Sequence, residues 1–261
     1  MLVMKFGGAS VAHPENFLKI ADLIIERTHG SKKIAVVISA MGNTTDQLFH
    51  LAGQIHANPP RRELDMLVSA GERISIALLA MALATRGRDA VSFTGSQSGI
   101  ITTQCHSDAK IVDVRPYRVL AALEKNQIPI VAGFQGVSRN GEITTLGRGG
   151  SDTTAVALAV ALKGGAVEFY KDVPGLFERD PKKDAAARHL PEISYKLAYE
   201  MAQRGARVLH ARAIALAEKN GIQLIVRSFQ KPGETIIGKR VFRSETLYFE
   251  TESEKECSLS S

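Results

Sequence analysis

The sequence predicts an α/β fold built on a mostly parallel sheet with helices on both faces. Four apolar runs, rich in β-branched side chains, are typical of buried strands and lie at 34–38, 128–132, 166–170 and 222–226. Segments with helical periodicity separate these runs, and such alternation favours parallel strands joined by helices. With 261 residues, 44% of them hydrophobic, the chain is long enough to bury this core.

Helices are predicted between the strands. Pro14 begins the first helix, because proline suits the first helical position. The others are predicted over 63–86, 115–125, 152–163, 194–204 and 209–220, and Gly221 closes the last one as a C-terminal cap. We expect one domain over residues 1–244. Residues 245–261 contain five glutamates and no periodicity, so we expect an acidic, disordered tail there.

The composition excludes several classes of protein. The charged (23%) and aromatic (6%) fractions are those of a globular chain, and no run of about 18 apolar residues predicts a membrane span. The net charge of +6 suits nucleic acid or a small anion. Basic residues lie scattered beside acidic ones, as at Arg61, Arg62 and Glu63, which favours an anionic metabolite. No cluster of His and Cys has metal-ligand spacing, so no metal site is predicted.

The first candidate motif is Lys5-Phe6-Gly7-Gly8, which follows an apolar run. Glycines at a strand end let the backbone approach a ligand closely, and Lys5 adds a charge suited to phosphate. The spacing is not that of a Walker A loop. The alternative, an ordinary strand-to-helix turn, is the better explanation of this motif taken alone.

A second motif runs from Thr144 to Asp152 and leads into a predicted helix. Three glycines surround Arg148, whose guanidinium can hold a carboxylate through two parallel hydrogen bonds. Helix N-terminal amides also favour negative charge. Helix capping by Ser151 or Asp152 explains neither the glycines nor Arg148, so an anion site is favoured.

Two further stretches are open to two explanations each. Ser39 and Thr45 follow a predicted strand, at the edge where open α/β sheets bind ligands, and they either contact a polar substrate or cap the next helix. Glu72 lies in an apolar helix and either orients an ammonium group or pairs with Arg73 or a lysine.

The last stretch, 171–182, combines charged residues with the turn dipeptides Pro-Gly and Asp-Pro directly after a predicted strand. It either cradles a nucleotide and its phosphates or forms a generic turn.

Together and in this order, these stretches resemble the catalytic domain of aspartate kinases (aspartokinases) in the amino acid kinase family. The resemblance covers Lys5 to about Gly238. It is carried by Lys-Phe-Gly-Gly-x-Ser from Lys5, Ser-Ala-Met-Gly-Asn-Thr-Thr-Asp from Ser39, Ser-Ala-Gly-Glu-Arg from Ser69, Gly-Phe-Gln-Gly from Gly133 and Thr-Leu-Gly-Arg-Gly-Gly-Ser-Asp from Thr145. Within the family, the Ser-Ala-Gly-Glu stretch separates aspartokinases from acetylglutamate, glutamate and uridylate kinases.

The resemblance implies a three-layer α/β/α sandwich that transfers the γ-phosphoryl group of ATP to the side-chain carboxylate of L-aspartate. The product is 4-phospho-L-aspartate, the first step towards lysine, threonine and methionine. It also implies Mg²⁺ carried with the nucleotide. From the composition and charge pattern we expect a cytoplasmic protein with no nucleic-acid or membrane partner, and we expect a homodimer. The acceptor carboxylate is already ionised at neutral pH, so no general base is required.

The resemblance also implies a role for each matching residue. The catalytic residues are Lys5 and Asp152. L-aspartate is bound by Ser39, Thr45, Glu72, Gly133, Phe134 and Arg148. ATP is bound by Lys5, Gly7, Gly8, Lys171, Asp172, Phe177, Arg179, Asp180, Pro181, Lys182 and Arg207. No residue is assigned to a metal.

The chain departs from the family at three places. Lys171 stands where aspartokinases usually have Thr or Ser, and Arg207 takes the place of a frequent lysine. The paired ACT domains that usually follow are not expected here, which predicts a kinase insensitive to lysine and threonine. The rival hypotheses are a kinase for another acidic metabolite and a non-catalytic nucleotide-binding partner of a full-length kinase.

Overall fold

The computed structural model describes residues 1–29, 33–181, 183–184, 186–206, 208–239 and 246–251. The strands in these ranges are β1 (Leu2–Phe6), β2 (Ile34–Ile38), β3 (Ala90–Phe93), β4 (Ile100–Thr102), β5 (Ile111–Val114), β6 (Ile128–Ala132), β7 (Gln135–Ser138), β8 (Ile143–Thr145), β9 (Ala166–Tyr170), β10 (Leu176–Phe177), β11 (His189–Leu190), β12 (Glu192–Ile193), β13 (Gln223–Arg227) and β14 (Glu234–Ile237). The helices are α1 (Pro14–Thr28), α2 (Thr44–Ile55), α3 (Arg61–Val68), α4 (Ala70–Thr85), α5 (Tyr117–Glu124), α6 (Gly150–Ala161), α7 (Tyr195–Gln203) and α8 (Ala211–Asn220).

The main sheet has eight strands in the order β12-β14-β13-β9-β1-β2-β6-β3. Every pairing from β13 to β3 is parallel, and only β14 runs antiparallel to its neighbour β13. The predicted parallel sheet is therefore confirmed. The sequence did not predict the smaller sheet β5-β4-β7-β8, which lies at one side of the site described below.

Helices cover both faces of the main sheet, as the predicted three-layer sandwich requires. Apolar side chains of α1 and α4 pack on one face, against Met4 and Phe6 of β1. Side chains of α5, α6 and α8 pack on the other face, against Val3. Because side chains alternate along a strand, Lys5 points to the same face as Val3, towards α6. This alternation determines which helix the lysine meets.

The prediction of one helix over 63–86 is wrong in one respect. The structure divides this stretch at Ser69 into α3 and α4. The Ser69 hydroxyl donates to the Met66 carbonyl, and the Ser69 carbonyl accepts from the Gln135 side chain. Both contacts compete with regular helical hydrogen bonding. The break joins the helix pair to β7 of the small sheet.

The stretch Arg61–Thr85 is long and apolar enough to cross a membrane by length and composition alone. Half of its most apolar window is buried inside the domain, and α4 contacts α1, β3 and β6. The two helices of this stretch, α3 and α4, therefore pack within the domain as core helices do.

Residues 246–251 are docked on the domain, which corrects the expectation of disorder for this part of the predicted tail. Tyr248 and Asn220 exchange two hydrogen bonds, between the Tyr248 amide and Asn220 Oδ1 and between Asn220 Nδ2 and the Tyr248 carbonyl. Phe249 packs on the core cluster that contains α6 and α8. Residues 252–261 lie outside the described residues.

Candidate active site

The carboxyl ends of four parallel strands meet at one edge of the main sheet. Phe6, Ile38, Ala132 and Tyr170, the last residues of β1, β2, β6 and β9, are in register across the sheet. A cavity of about 700 Å³ opens at this edge. Its lining includes these residues of the predicted site: Lys5, Gly8, Ser39, Thr45, Glu72, Phe134, Arg148, Asp152 and Lys171.

Two lysines share one buried carboxylate on the cavity floor. The Nζ atom of Lys5 lies 2.7 Å from Asp152 Oδ1. The Nζ atom of Lys171 lies 3.1 Å from Oδ2 and 3.2 Å from Oδ1 of the same residue. Asp152 reaches them from the first turn of α6. The three groups carry a net charge of +1 when all are ionised, which suits an anion.

The protonation of these groups follows from burial and mutual attraction. Burial lowers the pKa of Lys5 to about 8, since desolvation disfavours the ammonium form more than Asp152 favours it, and the charge of Lys171 lowers it further. Burial alone would raise the pKa of Asp152, but the ammonium groups of Lys171 and Lys5 hold that pKa well below its usual range. The carboxylate therefore stays ionised.

Glu72 carries an unused acceptor at the cavity wall. Its carboxylate is buried, and Oε1 accepts a hydrogen bond from the Ala40 amide at 3.1 Å. Oε2 has no hydrogen-bond partner among the described residues. Burial raises the pKa of Glu72 to about 7, only partly offset by the Ala40 amide. A buried carboxylate oxygen without a donor costs free energy until a ligand supplies one.

Arg148 is exposed at the cavity, and it forms no ion pair with any described residue. The loop around it is shaped by glycine. Gly149 has a φ of +74°, and a Cβ at this position would lie 2.1 Å from the His210 ring. Only glycine tolerates both this φ and this contact. Gly149 therefore lets the backbone of the loop around Arg148 pack tightly against His210, at the start of α8.

Gly8 and Gly133, two other glycines of the predicted site, also allow neighbouring parts of the chain to pack closely against them. A Cβ on Gly8 would lie 3.0 Å from the Ala40 carbonyl oxygen. A Cβ on Gly133 would lie 2.7 Å from the side chain of Ser151. Gly7 is absent from the cavity lining, and its amide donates to the Tyr170 carbonyl at 3.4 Å.

The amides of Gly133 and Phe134, for which backbone contacts to substrate were expected, are already used within the fold. The Gly133 amide donates to the Ile38 carbonyl at 3.0 Å, and the Phe134 amide donates to the Thr154 hydroxyl at 3.2 Å. Phe134 has a φ of +69° and lines the cavity.

Most of the predicted nucleotide segment does not line this cavity. Phe177 lies in the short hairpin β10–β11, with its ring 5.1 Å from that of His189. Arg179 pairs with Asp184 at 2.8 Å. Asp172, Asp180 and Pro181 are likewise absent from the cavity lining. Lys182 and Arg207 lie outside the described residues.

The prediction missed Asp65, a fully buried carboxylate on α3 that organises one cavity wall. It accepts hydrogen bonds from the amide and hydroxyl of Thr145 and from the amide of Ser107, and both residues line the cavity. His106 Nδ1 lies 2.8 Å from it. No local pattern marks Asp65, since its partners are more than 40 residues away in sequence.

The docked segment 246–251 also supports the Arg148 loop. Glu250 accepts from Arg212 Nε at 2.7 Å and from the Ile111 amide at 2.9 Å. Arg212 in turn donates to the carbonyls of Ala109 and Leu146, and Leu146 directly precedes the loop. Glu250 therefore orients an arginine that holds one end of the loop around Arg148.

The described residues contain no group of three or more His, Cys, Asp or Glu side chains placed to hold a metal ion. Both oxygens of Asp152 are engaged by lysines. These side chains do not fit a protein-held Mg²⁺ site, so we assign no protein ligand to Mg²⁺.

Comparison with known proteins shows which family the chain resembles in sequence and fold. The sequence model described as the amino acid kinase family matches residues 1–228. An aspartokinase from Bacillus sp. strain MGA3 is 48% identical over 248 residues, which is 95% of this chain and 60% of the relative. An aspartate kinase structure from Synechocystis superimposes with a TM-score of 0.82 at 43% identity, covering 94% of this chain and 41% of the other.

A structure of E. coli aspartokinase III in complex with aspartate and ADP superimposes with a TM-score of 0.82 at 28% identity, covering 93% of this chain and 65% of the other. These matches confirm the resemblance that the sequence motifs indicated. The chain spans about three fifths of the length of the curated relatives it matches.

Proposed function

This chain belongs to the amino acid kinase family, and we propose that it transfers the γ-phosphoryl group of ATP to the side-chain carboxylate of L-aspartate. The product is 4-phospho-L-aspartate, and the reaction belongs to the biosynthesis of lysine, threonine and methionine. The aspartokinase identity of its relatives over nearly the whole chain supports this assignment.

The observation that carries the proposal is the arrangement of charge in the cavity. Glu72 offers a buried oxygen without a donor, Arg148 offers a guanidinium without an ion pair among the described residues, and Lys5 lies on the floor. An α-amino dicarboxylate matches this pattern, with its ammonium group at Glu72 Oε2 and one carboxylate at Arg148. Its second carboxylate is then free to face Lys5.

The residues act by positioning and by neutralising charge. Ser39 and Thr45 line the cavity near Glu72 and supply hydroxyl groups to the bound amino acid. Lys5 contacts the phosphoryl group as it passes to the acceptor oxygen, and Asp152 holds Lys5 in place at 2.7 Å. The acceptor attacks as a carboxylate, so no proton has to be removed from it.

ATP enters beside β1 and β9. We propose that its phosphates approach the backbone at Gly7 and Gly8, and that the predicted segment from Lys171 to Lys182, with Arg207, binds the rest of the nucleotide. The position of Gly8 in the cavity lining supports such an approach. Mg²⁺ would be carried by the nucleotide phosphates, and no step is derived through it. A cytoplasmic homodimer remains a prediction.

The direct test is ATP-dependent formation of aspartyl hydroxamate, in which hydroxylamine traps the acyl phosphate. We expect a signal with L-aspartate that is lost in the variant Lys5→Ala and when Mg²⁺ is omitted. ADP release with another carboxylate but not with aspartate would assign a different acidic substrate. ATP binding without turnover would instead support a regulatory partner.

A further inference from the structure

We propose that Lys171 is a catalytic residue, whose ammonium group contacts the phosphoryl group in transit together with that of Lys5. This inference rests on the proposed kinase function and deepens it. The resemblance places Lys171 within the nucleotide-binding segment, whereas its contacts place it on the floor of the cavity.

The fold directs Lys171 to the transfer point. Lys171 directly follows β9, which pairs with β1 in register, with Phe169 opposite Lys5. Side chains alternate along the strand, so Lys171 projects to the same face as Phe169 and Lys5. The Lys171 amide donates to the Arg227 carbonyl at 2.8 Å, which anchors its backbone to the neighbouring strand β13.

Its side chain is held on two sides. Nζ lies 3.1 Å from Asp152 Oδ2, and the ammonium group lies 5.9 Å from the centre of the Phe169 ring. Only 15% of the side chain is exposed. A buried, oriented ammonium group loses less free energy to reorganisation than a mobile surface lysine when an anion arrives.

Other members of the predicted segment lie elsewhere. Phe177 is in the β10–β11 hairpin, and Arg179 pairs with Asp184. Of the described residues in the segment 171–182, only Lys171 lines the cavity. The charge of Lys171 is therefore placed at the γ-phosphate end of the nucleotide, where bonds form and break in the proposed reaction.

The step needs two positive groups and no proton. An oxygen of the acceptor carboxylate forms a bond to the γ-phosphorus, and the bond from that phosphorus to the oxygen shared with the β-phosphate breaks, so that ADP leaves with the electron pair. During this step, negative charge is spread over three equatorial oxygens. Lys5 and Lys171, which approach from adjacent strands, can each contact one of them, and Asp152 keeps the two ammonium groups apart and aligned.

The alternative is that Lys171 only neutralises Asp152 or binds the nucleotide. Kinetics separate these roles, since a group that acts on the transferring phosphoryl lowers kcat and a nucleotide-binding group raises the dissociation constant for ADP. A second readout needs no turnover. Lys5 faces Lys171, Asp152 and Glu72, and the positive charge of Lys171 lowers the pKa of Lys5. Removal of that charge should raise the pKa of Lys5.

The experiment compares Lys171→Met, which removes the charge at similar length, with Lys171→Arg, which keeps it. Lys196→Met, on an exposed position of α7, is the matched control. Aspartyl hydroxamate formation gives kcat, calorimetry gives the affinity for ADP, and competitive acetylation read by mass spectrometry gives the pKa of Lys5.

We expect Lys171→Met to lower kcat by about 100-fold or more with ADP affinity changed by less than about threefold, and to raise the pKa of Lys5. Lys171→Arg should recover part of kcat, and Lys196→Met should match the wild type. An unchanged kcat in Lys171→Met, or a loss confined to ADP affinity, would overturn the catalytic role. A wild type that forms no hydroxamate while binding ATP would instead overturn the proposed function, and this proposal with it.

Discussion

Glu72 offers the sharpest test of the site, because its removal should stabilise the free protein and weaken substrate binding at once. Burial raises the pKa of Glu72 from 4.5 to about 7. At about 1.4 kcal/mol per pKa unit, ionisation of this carboxylate costs the folded state about 3 kcal/mol. This cost is absent below the unfolded pKa, grows as the pH rises from about 4.5 to 7, and is complete above 7.

The substitution Glu72→Gln keeps the shape of the side chain and an acceptor for the Ala40 amide. We therefore expect the variant to unfold at a higher temperature than the wild type at pH 8, with the difference vanishing near pH 4. In the same variant a charge-assisted hydrogen bond to the substrate ammonium is lost. Loss of about 2–4 kcal/mol corresponds to a fall of about 30- to 1000-fold in kcat/KM for aspartate.

Glu168→Gln is the matched control, since Glu168 is equally buried but already bound to Arg27, Arg227 and Tyr170. That variant should lose stability and keep its KM for aspartate. Thermal unfolding at several pH values and hydroxamate kinetics measure both quantities. If Glu72→Gln instead lowered the unfolding temperature at pH 8 and left kcat/KM intact, Glu72 would be a structural residue and the reasoning would be refuted.

Three further predictions follow from the cavity walls. Because the pKa of Lys5 is lowered to about 8, kcat/KM should fall above about pH 8 as Lys5 loses its proton, which a pH–rate profile measures. Asp65→Asn should cost about 2–4 kcal/mol in urea unfolding, because Ser107 and Thr145 lose a buried charged acceptor; an unchanged midpoint would contradict this role. Glu250→Ala should raise KM for aspartate several-fold and speed amide exchange at 146–149, with KM for ATP unchanged, because Arg212 then holds Leu146 less firmly; equal changes in both KM values would point to general unfolding.

Much of the main sheet was predictable because its strands are buried on both faces. The runs at 34–38, 128–132 and 166–170 coincide with β2, β6 and β9, and the fourth run is shifted by one residue from β13. Such strands need continuous apolar residues, which is a local signal. The cap at Gly221 was equally local and is confirmed by its φ of +65°.

The small sheet and the break at Ser69 were not predictable in the same way. The strands β4 and β8 have only three residues each, too few for a period to show. At this break the Ser69 carbonyl accepts a hydrogen bond from the side chain of Gln135, which is 66 residues away. The helical pattern of residues 63–86 does not indicate this contact with Gln135.

The sequence alone determined the layered α/β architecture and the residue types gathered at the site, since hydrophobic periodicity and the motifs around Lys5, Glu72 and Arg148 are local. Tertiary structure decided which charges meet. It placed Lys171 on Asp152, left one oxygen of Glu72 without a donor among the described residues, and brought Asp65 and Glu250 behind the cavity walls. These outcomes depend on strand order and register, which bring distant residues within hydrogen-bonding distance, and no pattern along the chain encodes such a distance.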